Sequence, residues 1–278
     1  YLSFQNSSQA NLLKEYHIEN DIVKPFNFSR NKLKKLGQVI YVLHPLRILK
    51  YFHAYYKIKR KKNLSPLAVL YKYKDFKNGF VHVHFNNSLQ PLIDLTKIGY
   101  INPRCIITFH GYDAFLDDKK EFHKKYSNFY QKHVVAVTTN SEYLKHKVIN
   151  LGVDKSLIHV VPIGIDFVNF KRKSRSPLTN KTFHLITVGR LTQLKGQIFV
   201  IRAMSKLIDK GYDISYTIIG SGSYEMKLKS ETDKLNLSDK IYFEGIKSQE
   251  EIQIYLQNSD LFMMSSTFDD NNGRREAF

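Results

Sequence analysis

From Phe80 onward, short runs of β-branched and aromatic residues alternate with segments of helical spacing, and this alternation restricts the chain to very few folds. "FVHVHF" (80–85) reads as a strand, and "SLQPLIDLTKIG" as a helix ending near Gly99. "RCIITFHGYD" reads as a strand running into a turn, 117–132 as a charged helix, and "VVAVTTNS" as a third strand. "EYLKHKVINLG" is a helix closed by Gly152, and "LIHVVPIGID" a fourth strand. Strands that take turns with helices in this way predict a parallel sheet wrapped by helices.

The pattern is interrupted once. "FKRKSRSPLTNK" (170–181) is polar, basic and aperiodic and holds Pro177, so it reads as a linker. The alternation then restarts with "FHLITVGRL", a helix around 197–210 ended by Gly211, "DISYTIIGSG", "YEMKLKSETDKLNL", "KIYFEG", "SQEEIQIYLQNS" and "DLFMMSS". Ser248 and Glu251 form a capping-box pair at the last of these helices. The predicted fold class is α/β, with two Rossmann-like doubly wound domains at 1–172 and 182–278. Ligands of such sheets sit beyond the carboxyl ends of the strands, so a cleft between two such halves is the expected site.

Composition matters chiefly through charge. The formal net charge is +18, and no acidic residue occurs between Asp21 and Asp75. Within that stretch, 31–62 carries Leu33, Leu36, Ile40, Leu43, Leu46, Leu49, Phe52, Tyr55 and Tyr56 at roughly helical spacing, broken by Pro45. A basic amphipathic stretch of this kind reads either as a surface for anionic membranes or as helices whose apolar stripe packs inward. No helix-turn-helix, zinc or RNA-recognition pattern accompanies the charge, so no nucleic-acid partner is expected. The single cysteine, Cys105, lies in the apolar run "CIITF" and reads as a buried thiol, which fits a reducing compartment.

Chemistry-bearing residues gather at the predicted strand ends. After "FHLITV" comes "GRLTQLKG", in which Gly189 allows a turn and Arg190 and Lys195 flank a helix start. A guanidinium fork, an ammonium and free backbone N–H groups suit a diphosphate. "GSGSYE" puts Gly220 and Gly222 in another strand-to-helix turn, without the third glycine of a dinucleotide fingerprint. "HGYD" places His110 at a strand end, where an imidazole can meet a hydroxyl or phosphate. His82 and His84 share one strand face without a third ligand at a telling spacing, so no metal site is expected. Asn140 and Ser141 stand at a helix start, where capping alone accounts for them.

Taken in order, "HVHF", "HGYD", "TNSEYLK", "VPIGID", "VGRLTQLKG", "IIGSGSYEMKL", "FEGIKSQEEIQIYL" and "REAF" resemble the retaining glycosyltransferase family 4, whose fold is GT-B, over about Val81 to Phe278. The resemblance implies that Arg190, Lys195 and Gly189 hold the diphosphate of a nucleoside-diphosphate sugar. It implies that His110 meets the donor sugar or the acceptor hydroxyl, and that Glu276 is the first of the family's paired carboxylates. Gly111 and Asp113, Asn140 and Ser141, Gly164 and Asp166, Gly220 and Gly222, and Arg275 would line the donor and acceptor cleft. On the same basis "FDD" (268–270) is not a metal motif, and neither a metal nor another cofactor is expected. The family's opening strand and glycine loop would precede Tyr1, and its second carboxylate would follow Phe278, so a member shortened at both ends is the expectation.

The function so implied is sugar transfer to a glycan acceptor, expected to be lipid-linked, in cell-surface polysaccharide synthesis such as capsule or lipopolysaccharide. The setting would be cytoplasmic, with the inner face of the plasma membrane reached through 31–62. Two other readings stay open at this point: a GT-B sugar-nucleotide epimerase, and a non-catalytic module that binds membranes or polyanions.

Overall fold

A computed structural model describes residues 28–43, 46–59, 65–73, 76, 78–164 and 182–267. By internal contacts the chain divides into two compact units, one over 1–139 and 145–160, the other over 140–144 and 161–278. The expected linker at 170–181 lies outside the described residues.

Among the described residues the first unit begins with three helices, α1 (Lys32–Leu43), α2 (Leu46–Lys59) and α3 (Ser65–Lys72). They are followed by β1 (Asn78–His84), α4 (Gln90–Lys97), β2 (Asn102–Phe109), α5 (Lys119–His133), β3 (Val134–Thr139), α6 (Glu142–Asn150) and β4 (Ile158–Val160). The four strands are parallel and lie side by side in chain order. Alternation sorts the side chains of β2: Cys105, Ile107 and Phe109 are fully buried, while Asn102 and Arg104 are exposed. Burial pushes the Cys105 thiol up to about 12, so it is an inert core residue as the sequence suggested. The fourth strand is shorter than expected because "VPIG" (161–164) runs exposed and unpaired beyond Val160.

The apolar spacing over 31–62 divides between two helices with different fates. In α2, Ile48 and Tyr55 are buried together with Leu67 and Leu70 of α3. Tyr100 ties this layer to the sheet unit, donating its hydroxyl to the Leu70 carbonyl at 2.8 Å and meeting Tyr51 edge-on. In α1, by contrast, Leu33, Leu36 and Ile40 remain exposed.

The second unit contains β5 (Phe183–Val188), α7 (Gln197–Ile208), β6 (Ile214–Ile219), α8 (Glu225–Lys234), β7 (Ile241–Gly245), α9 (Gln249–Asn258) and β8 (Leu261–Phe262). Its parallel sheet has the order β7-β6-β5-β8. The direction of winding therefore reverses at β5, and β5 and β8 flank the switch point. Ile198, Ile201 and Met204 of α7 pack with Leu228 of α8 and with Leu185, Tyr216 and Ile218 of the sheet. Each large apolar side chain so buried contributes about 1.5–3 kcal/mol relative to exposure. The buried hydroxyls of Tyr216 and Thr187 are satisfied, since Tyr216 bonds Thr187 at 2.6 Å and Thr187 donates to the Met263 carbonyl. The predicted capping box is present: Ser248 accepts from the Glu251 N–H and Glu251 from the Ser248 N–H.

Candidate functional site

In the second unit, the loops that leave β5 and β8 meet on the carboxyl side of the switch point, where a doubly wound sheet receives its ligand. After β5 the chain runs through Gly189 and exposed Arg190, buries Leu191, and makes a short 3-10 turn at Gln193–Lys195. Gly196 then switches to the left-handed region (φ 64°) and starts α7, whose N-terminus no side chain caps. The strand after β8 lies against this turn: Ser265 donates its hydroxyl to the Lys195 carbonyl at 3.1 Å, and Thr267 its N–H to Leu194 at 2.8 Å. The last described residue is thus bonded next to Lys195, while Arg275, Glu276 and "FDD" lie outside the described residues.

The glycines of this site serve closer packing than the sequence suggested. Gly189 has no positive φ, and an added Cβ there would meet only the Lys195 side chain, at an ordinary 3.9 Å. Gly196 (φ 64°), Gly220 (φ 134°) and Gly222 are the constrained positions, pressed against the backbones of Ser265, Gly189 and Leu191 respectively. Leu191 also donates to the Ser221 carbonyl and accepts from the Tyr224 N–H, both at 2.9 Å. The "GSG" turn therefore braces the Arg190 loop through its backbone. A residue that the sequence reading missed braces it from the other side. Gln197 is fully buried, donates to the Arg190 carbonyl at 3.2 Å, and leaves its Oε1 without a partner, as does the Ser266 hydroxyl. Its signal in the sequence is only a glutamine that directly follows Gly196 at the start of a helix.

The first unit carries a second cluster at the carboxyl ends of β1 and β2. His84 Nδ1 lies 2.9 Å from His110 Nε2, and the rings stack at 27°. One of these nitrogens must carry a proton and the other a lone pair. His82 contacts Thr108 at 2.6 Å, and Thr108 contacts Thr138 at 2.6 Å, which continues the polar row across three strands. Phe85 packs on His110 with ring centroids 4.4 Å apart, and its backbone holds φ 70°, ψ 116°, a costly conformation for an aromatic residue. Among the described residues no group of three His, Cys, Asp or Glu side chains is placed to hold a metal ion.

Asp113 departs from its expected place in an open cleft. It is only 3% exposed, and its two oxygens accept the N–H groups of His110 (3.0 Å) and Asn86 (2.8 Å). Asn86 in turn accepts the buried Tyr130 hydroxyl at 2.6 Å. Burial raises the Asp113 carboxyl above the ordinary aspartate range, opposed by those two N–H donors. Asp113 is thus a staple that fixes the His110 backbone, and Gly111 (φ 112°) supplies the turn between them. Asp113→Ala leaves the buried Asn86 N–H and the half-buried His110 N–H without their acceptor, a cost of about 1–3 kcal/mol for the buried one and less for the other. Its expected result is a lower thermal midpoint and loss of the His84–His110 geometry, read by the histidine NMR signals.

The remaining predicted residues are scattered. Ser141 accepts from the Leu144 N–H at 3.2 Å, which is the capping role, while the Asn140 Oδ1 is buried without a partner. Gly164 is exposed with open space around it, and Asp166 lies outside the described residues.

The histidine row also has a pH signature. Burial, and then the neighbouring imidazoles, lower the His82 and His84 values below the ordinary 6.5. Below that value the unfolded chain binds more protons than the folded one, so this contribution to stability falls as pH drops from 6.5 through the lowered folded values. The thermal midpoint should fall as pH drops below 6.5, and His82→Asn with His84→Asn should flatten that dependence.

Comparison with known proteins gives this arrangement its family. The sequence profile of "Glycosyltransferase Family 4" matches residues 28–168, and that of "Glycosyl transferases group 1" matches 169–278. Amylovoran biosynthesis glycosyltransferase AmsK of Erwinia amylovora is 31% identical over 241 residues, covering 84% of this chain and 59% of AmsK. The putative colanic acid biosynthesis glycosyltransferase WcaL of Escherichia coli K12 is 26% identical over 187 residues, covering 66% of this chain and 45% of WcaL. The chain thus spans about half the length of these relatives. Anabaena HepE, solved in complex with UDP-glucose, superposes with a TM-score of 0.61 at 17% identity, over 97% of this chain and 68% of HepE. The two parallel sheets are those of the GT-B fold. With profiles of both halves matched in order and a relative aligned across most of its length, the chain belongs to glycosyltransferase family 4.

Proposed function

We propose that this protein transfers a sugar from a nucleoside-diphosphate sugar to a glycan acceptor, lipid-linked in the simplest case, during assembly of a cell-surface polysaccharide. The observation that carries the reading is the meeting of Arg190, Lys195 and the uncapped start of α7 at the switch point of the second sheet. In the reaction the bond from the anomeric carbon to the leaving phosphate oxygen breaks, and negative charge grows on the diphosphate. Arg190 offers a planar fork of donors and Lys195 a point charge, so both bind the departing group more tightly as that charge develops. No resident metal or cofactor is part of the proposal.

His110, held by Asp113 at its backbone and by His84 and Phe85 at its ring, is proposed to face the reacting sugar. Glu276 is proposed to contact the donor as the family's first paired carboxylate, and attack on the face that the leaving group vacates would retain configuration. A thermal-shift panel of UDP-, GDP- and ADP-sugars tests the donor class. One base should stabilise the protein, by about 2.7 kcal/mol at a hundredfold excess over Kd. Lys195→Ala should abolish that shift, and no response to any nucleotide contradicts the proposal.

A further inference from the structure

We propose that the Phe85 ring is the floor of a subsite for one uncharged pyranose, the acceptor's terminal sugar, whose hydroxyls meet the outer nitrogens of His84 and His110. The starting point is strain that the backbone path does not require of an aromatic residue. Phe85 holds φ 70°, ψ 116°, whereas the other described non-glycine residue with positive φ is Asn236, a type that tolerates it. The conformation is clamped from both sides. Phe85 donates its N–H to the Thr108 carbonyl and accepts the Ser88 N–H, both at 2.9 Å, and the next N–H, of Asn86, is bonded to Asp113. Glycine would follow the same path freely, so a phenyl group here points to a use for the ring. Packing accounts for only part of it, because Phe85 remains 42% exposed while its ring leans on His110.

The histidines supply the polar half. His84 Nδ1 and His110 Nε2 bond each other, and His84 Nε2 and His110 Nδ1 have no partner among the described residues. Each neutral imidazole carries one proton. If His84 donates the shared bond, its outer nitrogen is an acceptor and that of His110 a donor; if His110 donates, the roles exchange. Either way the neutral pair turns one donor and one acceptor outward, which matches sugar hydroxyls, themselves both donors and acceptors. A flat apolar face for the C–H side of a sugar ring, beside a few polar groups for its hydroxyls, is the make-up of a small-ligand site. Charge decides the occupant. Among the described residues no lysine or arginine contacts Phe85, His84 or His110, and Asp113 is buried on two N–H groups. The cluster therefore suits an uncharged ring and not a diphosphate. Giving that ring to the acceptor rests on the transferase reading, whereas the subsite itself does not.

The test titrates the whole chain with methyl glucopyranoside and methyl galactopyranoside, beside glycerol, which has hydroxyls but no ring face. Saturable shifts of the His84 and His110 imidazole NMR signals are expected with at least one pyranoside and not with glycerol. Phe85→Gly removes the ring and relieves the backbone, so its thermal midpoint should stay close to the wild-type value while pyranoside affinity falls about tenfold or more. Phe85→Asn, also tolerant of positive φ, should lose affinity alike, and Phe85→Tyr, which keeps the ring, should bind as the wild type does. Stabilisation by UDP-, GDP- or ADP-sugars should be the same in Phe85→Gly as in the wild type. No response to either pyranoside, an equal response to glycerol, or wild-type affinity in the glycine and asparagine variants overturns the proposal. Loss of nucleotide-sugar stabilisation in Phe85→Gly assigns the ring to the donor and overturns it equally. Pyranoside binding through Phe85 in a protein that responds to no nucleotide sinks the transferase reading and leaves the pyranose subsite standing.

Discussion

Arg190→Ala in the intact protein is expected to lower kcat/KM for sugar transfer by about a hundredfold or more, with a smaller loss of ground-state donor affinity. The asymmetry follows from chemistry. The diphosphate is already anionic when bound, but it takes on the bonding electrons of the glycosidic oxygen as it leaves, and a preorganised donor at that oxygen is most effective then. Losing one such donor from a preorganised site typically costs about 10²–10³ in rate. Arg190 is exposed at the end of β5, so its removal leaves the packing of the sheet intact and the effect is chemical. Arg190→Lys should recover only part of the loss, since an ammonium lacks the planar fork that grips two phosphate oxygens. Full activity in Arg190→Ala would remove the guanidinium from the mechanism altogether.

The largest structural effect is expected at Gly220. Its φ of 134° is a region that L side chains rarely adopt, and an added Cβ would fall inside the contact distance of the Gly189 carbonyl oxygen, 2.9 Å from its carbon. Neither backbone can yield cheaply. Gly189 donates its N–H to Ile219 at 2.9 Å, and Gly220 donates to Gly245 at 2.7 Å, so the junction is held from both sides. Gly220→Ala should therefore destabilise the second unit by about 3 kcal/mol or more, once strain of about 1–3 kcal/mol is joined by the forced separation of two bonded loops. Gly211→Ala is the matched control. It also has positive φ, 87°, but open space around the missing Cβ, so it should cost only about 1 kcal/mol. Chemical denaturation of the two variants separates backbone strain from steric conflict. A Gly220→Ala protein as stable as Gly211→Ala would show that the two loops are not locked together.

Much of this arrangement can be read from the residues, because local periodicity and strand-end position are local properties. The alternation from Phe80 onward gives the strands, and Ser248 with Glu251 announces a helix start that the structure closes on both bonds. His82 and His84 share a face by the period of two. Their meeting with His110 could not be read, since it depends on the parallel register that sets His84 beside Thr108. Asp113 shows the limit most clearly. Its sequence setting, a polar residue after a strand, suits a ligand loop as well as a staple. Only the approach of Asn86, 27 positions away, decides for the staple. Phe85 gave no warning of its left-handed backbone, which the surrounding structure imposes. The sequence assigns the turn to Gly189, whereas Gly220 uses the positive φ and Gly220 and Gly222 both need the missing Cβ, because which of two facing backbones lacks room is a property of the pair.

The proposed reaction puts the diphosphate where the loops after β5 and β8 meet. Amide-resolved NMR titration of the protein with UDP tests it directly. Saturable shifts are expected to concentrate at 189–198 and 265–267, with strong changes at Gly196 and Gln197, and to disappear in Lys195→Ala. Shifts confined to the histidine cluster at 82–113, or no shifts at millimolar UDP, would contradict it.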